Sequence, residues 1–158
     1  MNLNSKLSGA SVGRHRLSAF GVDVELLAGQ HRGSDHTLLD YRGPGDFGAV
    51  EAHRHTHCAE WFWVLEGQIE CTVDSSTRLL GPGAFIEIPR NTDHTWRNPA
   101  KEPFRMLIGF TDPSMDGYFI ELFEMLNTAK AWPPADKNAL KNLNARYNTE
   151  FSLQELAA

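Results

Sequence analysis

The chain has 158 residues, a net charge of -5, 41% hydrophobic and 22% charged residues, which is the make-up of one soluble globular domain with enough apolar mass for a real core. No clustered basic stretch is present, which excludes broad nucleic-acid binding, and no apolar run is long enough to cross a bilayer. Two cysteines, Cys58 and Cys71, are too few for a disulfide framework. Although they are close enough in sequence to pair, they are expected as reduced thiols. Without a signal-peptide pattern in the first 30 residues, the expected location is cytoplasmic.

Residues 1–15 are rich in Ser, Gly and Asn and are expected to form a flexible tail. From Leu17 onward the texture is that of strands: short runs of Val, Leu, Ile and Phe broken by turn residues. Strands are expected at Val22–Leu27, Thr37–Arg42, Gly48–His55, Trp61–Leu65, Gln68–Val73, Ser76–Leu80, Ala84–Ile88, His94–Arg97 and Phe104–Phe110. Turns such as Gly43-Pro44-Gly45-Asp46, Glu66-Gly67 and Gly81-Pro82-Gly83 separate them. Many short strands at regular spacing indicate a sandwich or barrel.

The period changes in the last third. Met115–Ala129 places Tyr118, Phe119, Leu122, Phe123 and Leu126 on a helical stripe, with Asp116 as a candidate cap and Pro133-Pro134 as a stop. A second short helix, Asp136–Tyr147, carries Leu140, Leu143 and Tyr147. Both helices are expected to pack on the outside of the β body. The organisation expected is a tail over 1–15, a β-barrel over 16–112 and a helical extension over 113–158.

The chemistry concentrates at His53, His55, Glu60 and His94. Residues two apart on a strand point to the same face, so His53 and His55 can reach one ion. A turn over Thr56–Ala59 can bring Glu60 back to them, and His94 opens a strand after a turn at 89–93. Three imidazoles and a carboxylate form a mixed nitrogen and oxygen set, suited to one divalent transition metal (Fe, Ni, Mn, Cu or Zn) rather than to Ca or Mg. With no thiolate among the ligands, a closed structural zinc site is disfavoured. His57 is expected in the turn, facing solvent, and His15, His31 and His36 carry no assigned chemistry.

These residues fall into two patterns. His53-x-His55, four residues, Glu60, six residues and Gly67 form the first. Gly83, Pro89, His94 and Asn98 form the second, with Asn91 where the pattern has Gly and with the upstream Gly48 one position too close in the first. The pairing resembles the two motifs of the cupin superfamily, and the tail more loosely resembles small single-domain cupins related to quercetin 2,3-dioxygenase. Asn tolerates a left-handed backbone, so the turn at Asn91 is expected to survive. The resemblance implies an all-β double-stranded β-helix, or jelly roll, with a metal at its mouth.

Strand alternation extends the site. Phe62 shares a face with Glu60, and Trp96 with His94; Met106, Ile108 and Phe110 form the inward set of the last strand. These five are expected to line an apolar pocket for a small organic substrate. Glu51 shares the face of His53 and, with Glu60, is a candidate acid or base. Trp61 and Trp63 point the other way and need cover from the helices or from a second subunit, which makes a homodimer the expected assembly. The resemblance implies a metal-dependent dioxygenase; a metal-dependent cyclase, isomerase or lyase, or a non-catalytic small-molecule binder, are the alternatives.

Overall fold

The computed structural model describes residues 15–129 and 136–152. Eleven strands occur among them: β1 (His15–Ala19), β2 (Val22–Ala28), β3 (Thr37–Gly43), β4 (His53–His55), β5 (Glu60–Glu66), β6 (Ile69–Val73), β7 (Ser76–Leu80), β8 (Phe85–Ile88), β9 (His94–Arg97), β10 (Phe104–Phe110) and β11 (Thr149–Phe151). Two helices follow the main β body, α1 (Met115–Thr128) and α2 (Lys137–Arg146). One sheet has the order β1-β2-β3-β10-β5-β8 and the other β11-β4-β9-β6-β7, with every pairing antiparallel. Two such facing sheets with long crossovers make a jelly roll.

Alternation builds the core. On β10, Met106, Ile108 and Phe110 are buried and sit opposite Val64, Phe62 and Glu60 of β5. Leu39 of β3 and Ile88 of β8 extend the same apolar layer. Gly67 turns β5 into β6 with φ 68°, the left-handed region that glycine enters without strain. A Cβ there would also stand 2.4 Å from the Pro103 carbonyl oxygen. Asn91 adopts φ 62°, so the substituted turn keeps its left-handed backbone. Its N–H donates to the His55 carbonyl at 2.8 Å and ties the second motif to the first.

Several expectations change. The strand expected over Gly48–His55 is only His53–His55. The preceding residues 48–52 meet β9 through one backbone–backbone bond, Val50 N–H to Trp96 O at 3.0 Å, while the Thr95 hydroxyl takes the Val50 carbonyl that a ladder would have used. Strand β1 begins at His15, the last residue of the expected tail, and β11 was not anticipated. Asp116 does not cap α1, because the helix starts at Met115. It instead accepts from His31 N at 2.9 Å and His31 Nδ1 at 3.0 Å. Asp136 caps α2, accepting from the N–H groups of Asn138 and Ala139. The proline stop of α1 and residues 1–14 lie outside the described residues.

The helices are not merely an outer layer. α1 packs against β1, β3 and α2, and β11 adds to the edge of the sheet that carries β4. That placement gives the C-terminal segment two walls of the cavity described next.

Candidate metal centre

His53 and His94 are direct partners in the β4–β9 pair, and His55 lies two residues further on the same face. The loop 56–59 returns the chain so that Glu60 starts β5 beneath them. One ligand atom from each of His53, His55, Glu60 and His94 lies within 4.8 Å of the others. Donors held about 2.0–2.2 Å from a common ion stand roughly 3–4 Å apart, so the cluster has the span that a transition metal needs.

The outer nitrogen of each imidazole is already committed. His53 Nδ1 donates to the Glu51 carbonyl at 2.7 Å, and His94 Nδ1 donates to the Thr92 carbonyl at 3.0 Å. His55 Nδ1 pairs with Thr149 Oγ1 at 2.9 Å; that hydroxyl points on to the Tyr147 carbonyl, which fixes it as the acceptor from His55. Each ring therefore presents Nε2 to the cluster, the tautomer that a metal requires. Glu60 Oε2 stands 3.1 Å from His55 Nε2 and 2.7 Å from His94 Nε2. The donor set and its outer hydrogen bonds fit a divalent ion.

The electrostatics agree. Burial raises the Glu60 carboxyl, but the adjoining His55 and His94 rings outweigh it and hold it below the ordinary carboxylate range. Burial, followed by the neighbouring His94 and His55 rings, pushes His53 down to about 3, so it stays neutral. Burial lowers His94 as well, but its bond to Glu60 wins and leaves it raised. Burial pushes the thiols of Cys58 and Cys71 up to about 12; both are free, buried and protonated, and they are not ligands.

A cavity of about 380 Å³ opens onto the cluster. His53, His55 and Glu60 line it. Of the five residues expected in the pocket, Trp96, Ile108 and Phe110 border the cavity, and Phe62 and Met106 do not. Both are fully buried. Phe62 lies against the Trp96 indole, centroids 6.1 Å apart, while Met106 is four residues, or about 13 Å, down β10 from Phe110. Glu51 borders the cavity with an exposed side chain, and its contact with the cluster is through its carbonyl. His57 is exposed and outside the cluster.

Sequence reasoning missed the far wall. Met115, Tyr118, Phe119, Leu122 and Phe123 of α1, Leu140 and Asn144 of α2, and Thr149 and Phe151 of β11 all border the cavity. The signal was present in the apolar stripe of α1, which is broader than a helix lying on a sheet requires. Thr149 carried no signal of its own.

Residues 43–110 match the family model described as the cupin domain, so that segment is cupin-like. It is 28% identical over 78 residues to the quercetin 2,3-dioxygenase of Bacillus subtilis (strain 168), covering 49% of this chain and 23% of that protein. It is 34% identical over 64 residues to the mannose-1-phosphate guanylyltransferase of Escherichia coli (strain K12), covering 40% of this chain and 13% of that protein. The chain thus spans less than a quarter of the length of either relative. Among solved structures, the polyketide cyclase RemF from Streptomyces resistomycificus superposes with a TM-score of 0.52 at 22% identity, covering 61% of this chain and 72% of that one. At that identity the likeness is one of fold.

Proposed function

We propose that this protein is a metal-dependent enzyme acting on a small apolar or aromatic organic molecule, with dioxygenation as its reaction. The observation that carries the reading is the three-His, one-Glu cluster, which opens through His53, His55 and Glu60 onto a cavity lined, among the described residues, by no Lys or Arg. Beyond the ion itself, a phosphorylated sugar would find no basic side chain among the described lining residues to pair with. Trp96, Phe47, Phe110 and Phe119 offer ring faces and edges instead.

A divalent ion, when bound, would supply Lewis acidity and open positions for substrate and dioxygen. His53, His55 and His94 would hold it through Nε2, each oriented by its outer hydrogen bond. Glu60, kept ionised by its imidazole partners, is poised as a fourth ligand and as the acceptor of a proton from a substrate hydroxyl. Glu51, at the cavity mouth, is the second candidate to relay that proton to solvent. The apolar lining excludes water around the reacting group. The 28% identity to a quercetin 2,3-dioxygenase supports dioxygenation over the other chemistries of this fold.

Oxygen uptake and product formation with flavonols, catechols and diketones test the reading. Consumption of oxygen with product supports it. Product without oxygen consumption moves the assignment to a cyclase, isomerase or lyase, and binding without any product moves it to a small-molecule binder. We also propose that the protein forms a homodimer, through an exposed apolar patch. Trp63 and Phe85 are cross-strand partners, 47% and 57% exposed, on the outer face of a sheet whose edge strand is β8.

A further inference from the structure

One polar pair interrupts the apolar wall contributed by the helices. Leu140 and Asn144, one turn apart on α2, both border the cavity. A polar side chain at such a position costs stability unless it is used. Asn144 is 4% exposed. Its Oδ1 accepts from the Tyr118 hydroxyl at 3.0 Å, the only hydrogen bond its side chain makes among the described residues.

Tyr118 is itself fixed. Its ring makes edge contacts with Phe119 and Tyr147, at centroid distances of 5.4 and 5.6 Å. Burial and then the Glu60 charge push its phenol above the ordinary value, so it remains a donor. With the Asn144 oxygen occupied by that proton, the amide NH2 is left with two donors and no acceptor among the described residues. The NH2 is not among the fully enclosed polar atoms that lack a partner, and Asn144 lines the cavity, so an occupant of the cavity can supply the acceptor.

We propose that Asn144, oriented by Tyr118, donates a hydrogen bond to an oxygen of the cavity's ligand. The ligand class is then narrower than apolar or aromatic: an uncharged, largely apolar molecule with a carbonyl, ether or hydroxyl oxygen besides the group that faces the metal cluster. This rests on the reading of the cavity as a binding site for an apolar organic molecule, and adds a second recognition point from outside the matched cupin segment 43–110.

Binding of 9-fluorenone and fluorene tests it, because the two differ only in a carbonyl replacing a methylene. Titrations use the full chain as purified and after chelator treatment, followed by tryptophan fluorescence, to which Trp96 in the cavity wall contributes. Wild type is expected to favour 9-fluorenone, with or without metal. Asn144→Leu is expected to weaken 9-fluorenone about tenfold, the weight of one hydrogen bond, while leaving fluorene unchanged or tighter. Tyr118→Phe, which frees the amide but keeps the ring, is expected to give a smaller loss of the same sign, and serves if Asn144→Leu does not fold. Equal effects on both probes, no effect on either, or a preference that disappears with the metal would overturn the assignment to Asn144. Failure of both probes to bind wild type would instead sink the apolar-ligand reading, and this proposal with it.

Discussion

His53 and His94 face each other across the β4–β9 pair with ring centroids 4.3 Å apart, although 41 positions separate them in the chain. The contact exists because β4 and β9 are neighbours in one sheet, and it halves the problem of building the site. One register fixes two ligands, His55 follows by strand alternation, and only Glu60 has to be delivered by a loop.

Thr149 is expected to matter to metal affinity without touching the metal. Its hydroxyl accepts from His55 Nδ1 and holds the ring with Nε2 inward. Thr149→Val should weaken metal binding by about 10–100-fold, and Thr149→Ser should retain most of the affinity. Competition with a chromophoric chelator measures both.

The legibility of the site follows from the same geometry. His53, His55, Glu60 and His94 were readable because two motifs carry them at spacings that strands and one turn convert directly into proximity. Thr149 and Asn144 were not readable, because each meets its partner only after the helices have folded back over the β body. Phe62 and Met106 show the limit of alternation: it names the inward face but not the depth at which a cavity gives way to solid core. β11 has three residues, too few for a periodic signal.

Gly67 is expected to resist substitution. Gly67→Ala would impose a side chain at φ 68° and bring its Cβ within 2.4 Å of the Pro103 carbonyl oxygen. A loss of about 1–3 kcal/mol is expected. Urea denaturation should show a lower midpoint with an unchanged slope.

Acid stability should depend on Asp40. Burial raises its carboxyl, but hydrogen bonds from Arg105 and Arg42 outweigh that and hold it below 3.8. Because the folded value is the lower one, the stabilisation is fully present above about 3.8 and is lost as pH falls through the folded value. Asp40→Asn should cost about 1–3 kcal/mol at neutral pH. The difference between variant and wild type should shrink below pH 4, as followed by denaturant unfolding across pH.

The Trp63 and Phe85 face should report the assembly. Trp63→Lys places a charge on the exposed apolar pair without touching the cavity. A shift from dimer to monomer in sedimentation, with metal content unchanged, is the expected result.

Metal content is the most direct test of the site. Protein purified without added metal, analysed by elemental mass spectrometry, should carry about one divalent transition metal per chain. His53→Ala and His94→Ala should each lose most of it while remaining folded by circular dichroism. Wild-type protein that takes up no transition metal, or folded His53→Ala and His94→Ala variants that hold as much metal as wild type, would contradict the assignment of His53, His55, Glu60 and His94 as ligands.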